Sequence, residues 1–259
     1  MGITFTSYFS HNGILVNNIQ AHLFTPLDIP GCASWHRSDK LVTLSDGKIS
    51  VWGDQSGNGR NLTQSTTSRQ PDFIPSGGTN NLPYLNLTQT GDVGKEMHWA
   101  TNAWSALTAG DVFFVGQRPI DPPTLSPGGA GTLWKSTDTD TGVVPYISGL
   151  IYDFSLTNVR KEAIGTTAGK TASTFVYNVS SAANSWTNRL NGSQIYTTST
   201  NTFYMSSDTA LFNTNYTGHP EFYYLGKFYE FIMFNRILTP QERSLVDSYI
   251  YNRYGIVGV

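Results

Sequence analysis

From Gly31 to Val259 the chain is cut into short β-prone runs by clusters of Gly, Pro, Asn and Ser, and that punctuation limits it to a fold of many short strands. The runs Ile49–Trp52, Tyr84–Leu87, Val112–Gln117, Thr132–Lys135, Tyr146–Tyr152, Thr174–Val179, Ser185–Leu190, Gln194–Thr198 and Phe222–Phe234, broken at Gly226, are predicted strands. Asn191-Gly192 tolerates the positive φ angles of a tight hairpin and stands between apolar residues on both sides. Pro119 to Gly131, with Pro122-Pro123, Pro127 and Gly128-Gly129, cannot sustain a ladder and is predicted as a long loop. One helix is specified near the end: Thr239 supplies an N-cap, Pro240 the first helical position and Glu242 the reciprocal carboxylate, and Gly255 stops it.

At 259 residues one all-β sandwich can use the whole chain. Residues 1–28 differ from the rest: they mix Phe5, Tyr8, Phe9, Ile14, Leu15 and Leu23 without a strand or helix period and end at Asp28-Ile-Pro30. They are expected to form an N-terminal arm that docks on a neighbour, and residues 29–259 the globular domain. Charged residues are only 13% of the chain, against about 25% in an ordinary soluble protein. The net charge of −2 gives no basic footprint for nucleic acid or an anionic membrane. No basic, apolar leader opens the sequence and no apolar stretch is long enough to span a bilayer, so neither general secretion nor membrane insertion is expected. The single Cys32 excludes an internal disulfide and is expected to be a small buried residue beside Trp35.

The run Trp52-Gly-Asp54-Gln-Ser56-Gly57-Asn58-Gly59-Arg60 packs turn residues and side-chain oxygens into a few positions, a composition suited to a tight turn that holds a hard cation or pins a strand end. With Trp35 upstream and Asn81-Leu82-Pro83 downstream, it resembles the laminin-G-like domains of the concanavalin A-like superfamily. The tail strengthens that resemblance through Gly226, Glu230, Asn235-Arg236, the Thr239 helix and Tyr254-Gly255. What the resemblance implies is a two-sheet antiparallel jelly-roll sandwich with one short C-terminal helix. It also implies a structural Ca²⁺ held by Asp54, Asn58 and Glu230 side chains and the Gly57 carbonyl. The group commonly carries Asp-Glu where this chain has Tyr229-Glu230. A carboxylate inside Phe228–Phe234 needs a partner in either case, so Arg60, Arg236 or backbone amides are the alternative to a metal.

Hydrolysis of a glycosidic bond needs two carboxyl groups flanking it, and no strand carries a closely spaced pair. Asp138 and Asp140 alternate, but within the turn-like Ser136–Gly142. His11, His22, His36, His98 and His219 are scattered, with no nucleophile elbow nearby, and His36 reads as packing. Trp99 and Trp104, in the polar segment Met97–Ser105, are the aromatics expected to be exposed and able to stack on sugar rings.

The expectation is therefore a non-enzymatic structural or adhesion domain. Sparse charge and the lack of disulfides suit a virion component assembled in a host cytoplasm, and the resemblance extends to phage tail, fibre and capsid-decoration proteins. Its partners would be other virion subunits, itself as a homo-oligomer, and cell-surface glycans. The alternative is a carbohydrate-binding module of a bacterial surface or secreted protein.

Overall fold

The computed structural model describes residues 23–91, 93–119, 132–137, 142–144, 150–163, 172–212 and 223–256. The expected arm up to residue 22, the proline-rich loop, Asp138, Asp140 and most of Tyr146–Tyr152 lie outside those residues.

In chain order the strands are β1 (Cys32–Arg37), β2 (Val42–Ser45), β3 (Lys48–Trp52), β4 (Leu62–Thr63), β5 (Asp72–Ile74), β6 (Tyr84–Leu87), β7 (Gln89–Thr90), β8 (Val93–Gly94), β9 (Met97–His98) and β10 (Ala109–Gln117). They continue with β11 (Thr132–Lys135), β12 (Gly142–Val143), β13 (Ile151–Asp153), β14 (Lys161–Ala163), β15 (Phe175–Ala182), β16 (Ser185–Leu190), β17 (Ser193–Thr198), β18 (Ala210–Leu211) and β19 (Gly226–Phe234), before the helix α1 (Pro240–Tyr254). Pairing is antiparallel throughout, as expected for an all-β sandwich.

One sheet runs β17-β16-β15-β10-β19, with β1 and β6 sharing the far edge of β19. The other runs β2-β3-β4-β9-β18-β11-β12-β13-β14. β5 joins the two by pairing with both β3 and β6. Helix α1 covers the outer face of the first sheet, so that sheet is buried on both sides. Its central strands are accordingly apolar at successive positions rather than alternating.

In β10, Val112 and Phe114 enter the core between the sheets while Phe113 and Val115 meet the helix layer with Val246, Ile250 and Tyr254. β19 follows the same rule until a bulge opposite Val115 and Gly116. Phe228 points into the inter-sheet core and Tyr229 toward the helix. The extra residue lets Glu230 face the helix too, and Phe231 resumes the inward position.

The terminal elements match their sequence signals. Asn191 and Gly192 take φ values of 50° and 83° between the paired Leu190 and Ser193. Thr239 accepts from the Glu242 amide at 3.2 Å, and Gly255 closes α1 in the left-handed region. Strands β1, β2, β5 and β14 and the two-residue strands β4, β7, β8, β9, β12 and β18 lie outside the predicted set: β1 is buried at successive positions and shows no alternation, and the others are too short for a period to be read.

Candidate functional site

β3 delivers the chain to the Asp54 turn through Gly53, where a Cβ would come within 2.6 Å of Leu41 Cβ. Asp54 is buried, and each carboxylate oxygen accepts two hydrogen bonds. Oδ1 takes the Trp35 and Ser56 amides, both at 2.9 Å, while Oδ2 takes Ser56 Oγ at 2.7 Å and the Arg60 amide at 3.0 Å. Asn58 Nδ2 donates to the Cys32 and Ala33 carbonyls at 3.1 Å, and Arg60 Nη1 donates to Ala33 O at 2.8 Å. Gly57 and Gly59 adopt φ of 83° and 70°, which lets the turn fold over β1. Cys32 is half-buried there, and burial pushes its thiol up to about 12, with Asp54 and Glu230 adding to the rise.

Glu230, turned outward by the bulge, is fully buried. Its Oε1 accepts from Trp35 Nε1 at 2.5 Å and Tyr249 OH at 2.8 Å, and its Oε2 from Tyr254 OH at 2.7 Å. Arg253 Nε stands 3.9 Å away. Burial raises its pKa, with the three donors and Arg253 acting in the opposite direction. The partner that a buried carboxylate requires is thus this indole and two phenols, not Arg60, Arg236 or backbone amides.

A Ca²⁺ at Asp54, Gly57, Asn58 and Glu230 does not fit this arrangement. The ion needs carboxylate and carbonyl oxygens converging on one point. Here Asp54 and Glu230 are each enclosed by separate N–H and O–H donors, and Asn58 turns its amide nitrogen inward. Among the described residues no three His, Cys, Asp or Glu side chains are grouped to hold a metal.

Trp99 and Trp104, expected to be exposed stacking platforms, are instead core residues with 4% and 1% of their surface accessible. Their ring centroids lie 5.3 Å apart in an edge-to-face arrangement, Phe231 sits 5.1 Å from Trp99, and the Arg60 guanidinium covers Trp104 at 5.0 Å. Residues 101–106 form a turn that carries Thr101 and Asn102 on the outside, so a polar neighbourhood in sequence conceals an inward-facing pair. His36 is buried packing, as expected, between Trp52, Trp99 and Phe231.

A group that sequence reasoning missed lies on the second sheet. β9 pairs Thr63 and Ala210 with His98 on its two sides. That pairing gathers an open pocket of about 360 Å³ lined by Ser50, Thr63, Gln64, Ser65 and His98. His98 Nε2 lies 3.2 Å from Glu96 Oε1, which also accepts from Arg69 Nη1 at 2.8 Å, while Nδ1 lies 3.8 Å from Asp208. Lys135 Nζ pairs with Asp208 at 2.7 Å. Glu96 and Asp208 are therefore separated by an imidazole, and no scissile bond can sit between them. The group forms a polar shelf with spare hydroxyls. Strands of two residues assemble it, and no local motif announces it.

No family model matches the sequence, and no curated protein does. Solved structures share the fold at low identity. One is a GH54 α-L-arabinofuranosidase soaked with a cyclic sulfate inhibitor, with a TM-score of 0.57 and 13% identity over 86% of this chain and 63% of that one. Another is the binding domain of Paraclostridial Mosquitocidal Protein 1, with a TM-score of 0.58 and 13% identity over 88% of this chain and 54% of that one. A third is the binding domain of botulinum neurotoxin serotype D/C, with a TM-score of 0.56 and 12% identity over 87% and 53%. The chain thus spans between about half and two thirds of the length of the structures it matches. These likenesses are consistent with the β-sandwich, to which this chain's structure adds one C-terminal helix. Among the described residues no helix is long and apolar enough to cross a membrane.

Proposed function

We propose that this chain is a non-catalytic jelly-roll recognition domain of the concanavalin A-like kind, carried on a bacteriophage particle and contacting neighbouring subunits and host glycans. The observation that carries this reading is how four buried carboxylates are used. Asp54 pins a turn, Glu230 pins the helix, Asp111 accepts from Asn178, Ser180 and Leu238, and Asp153 accepts from Ser155 and Tyr177. Each serves the scaffold, and no two of them open into one groove, as hydrolysis would require. In this reading residues 1–28 serve assembly.

Two measurements test it. Incubation with plant, algal and bacterial polysaccharides is expected to release no reducing ends, and turnover at enzyme-like rates would overturn the non-catalytic reading. Electron microscopy of purified particles carrying an epitope-tagged chain is expected to place the tag on the particle, and its consistent absence would remove the virion assignment. The His98 shelf favours a second reading, a carbohydrate-binding module of a bacterial surface protein. Fractionation that finds the chain in a cell envelope would select it.

A further inference from the structure

On α1, Arg243, Asp247 and Tyr251 recur every fourth residue and so line one face, with Ser244 beside them. That face lies against the β16–β17 turn and encloses with Arg189 and Gly192 a pocket of about 340 Å³, within the range of small-ligand sites. Gly192 lets the two elements close: a Cβ there would come within 2.5 Å of the Tyr251 hydroxyl.

The charged groups of this pocket are unevenly used. Arg189 Nη1 donates to Asn178 Oδ1 at 3.0 Å and Ser180 Oγ at 3.2 Å. Arg243 Nη2 donates to the Leu238 carbonyl at 3.0 Å and faces Asp111 Oδ2 at 3.3 Å. Arg243 Nε is buried and makes no hydrogen bond. Among the described residues no donor reaches the Asp247 carboxylate and nothing bonds the Tyr251 hydroxyl. Burial pushes Asp247 up to about 6 despite the nearby Arg243 and Arg189, as it does for a half-buried carboxylate whose hydration has not been replaced. Elsewhere on this sheet, Asp111 and Glu230 are each enclosed by several donors.

We propose that the pocket between α1 and the β16–β17 turn is a binding site for one neutral sugar residue. Charge selects the ligand. Arg243 is paired with the buried Asp111 behind the wall, and on the wall itself Arg189 and Asp247 oppose each other, so an anion meets the Asp247 carboxylate and a cation meets the Arg189 guanidinium. A neutral polyol meets neither obstacle. Asp247 accepts from its hydroxyls, Ser244 and Ser248 supply hydroxyls of their own, and Tyr251 offers both a ring edge and a hydroxyl. This inference rests on the glycan-recognition reading above and assigns that function to a particular place.

Saturation-transfer NMR of the full chain with D-glucose, D-galactose, D-mannose, L-arabinose and N-acetyl-D-glucosamine at millimolar concentration tests it, with inorganic phosphate and lysine methyl ester as ionic probes. At least one sugar is expected to bind, and Asp247→Asn and Tyr251→Ala to weaken it roughly tenfold or more, equivalent to one good hydrogen bond to a charged group. Lys40→Ala, in the exposed turn between β1 and β2, should leave affinity unchanged. Circular dichroism of each variant separates lost binding from lost fold, and Tyr251→Phe supplies a conservative partner. Sugar binding that survives Asp247→Asn and Tyr251→Ala overturns the pocket and leaves the recognition reading intact. Phosphate or lysine ester binding in place of sugars overturns the charge argument and the proposal with it. If no sugar binds, the pocket is overturned, and retention of the chain on isolated cell-wall polysaccharide then decides whether glycan recognition stands without it.

Discussion

The neutral form of His36 is fixed by its two neighbours. The Trp52 carbonyl, 3.1 Å from Nδ1, can only accept, so Nδ1 carries the proton, and Nε2 accepts from Ser34 Oγ at 2.7 Å. Burial lowers the imidazole from 6.5 to about 4, while Asp54 pulls the other way. The unfolded chain therefore takes up the proton first. The contribution of His36 is complete above about pH 6.5 and is lost as the pH falls toward 4, about 3 kcal/mol in all. Asp247, whose folded pKa is raised to about 6, slopes the opposite way in part of this window, so the difference between wild type and His36→Gln is the informative quantity. Urea unfolding from pH 7 to 4 is expected to show wild type losing its advantage over the variant, and parallel curves would contradict the assignment. Glu230 gives a second test at this scale. Gln keeps one acceptor for Trp35 and Tyr249 and can donate to Tyr254, whereas Ala strands three buried donors. Glu230→Gln should cost about 1 kcal/mol and Glu230→Ala about 3 or more by chemical denaturation, and equal losses would deny the carboxyl its place as a hub.

At the scale of elements, α1 is the one whose start and stop are written most locally. Thr239, Pro240, Glu242 and Gly255 each act within a turn of the residue they control, so nothing distant has to be known. Thr239→Ala removes the acceptor for the Glu242 amide and is expected to lower stability by about 1 kcal/mol in urea titrations, with the denaturant slope unchanged. A changed slope would mean that α1 detaches rather than frays. The hairpin was legible for the same reason, and the long central strands through their β-branched and aromatic runs. The bulge in β19 was not. Sequence alternation alone sends Glu230 inward with Phe228, and only pairing with β10, more than a hundred residues away, shows that Tyr229 and Glu230 share the outer face. Trp99 and Trp104 misled in a related way, since burial is decided by the turn that folds over them rather than by the polarity of adjacent residues. The His98 shelf, assembled by strands of two residues, left no local trace.

At the scale of the molecule, Trp35 ties three parts of the chain together. Its backbone amide holds Asp54 of the turn after β3, and its indole holds Glu230 beneath Tyr249 and Tyr254 of the final helix. The family-like residues were visible in sequence as a turn and a tail far apart. Their spacing could not reveal that hydrogen-bond donors connect them through one tryptophan. This makes metal dependence a decisive measurement. A Ca²⁺ present at a hundred times its Kd would stabilise the folded chain by about 2.7 kcal/mol, and its removal would lower the Tm of a protein this size by roughly 5–10 °C. Because every oxygen of both carboxylates already accepts from a protein donor, melting in excess EDTA and in excess Ca²⁺ is expected to give the same midpoint. Trp35→Phe, which keeps the backbone bond to Asp54 and deletes only the indole donor to Glu230, should lower that midpoint equally in both conditions. A chelator-sensitive Tm in wild type would show that an ion displaces the Ser56 and Arg60 donors from Asp54, and the turn would then be a metal site after all.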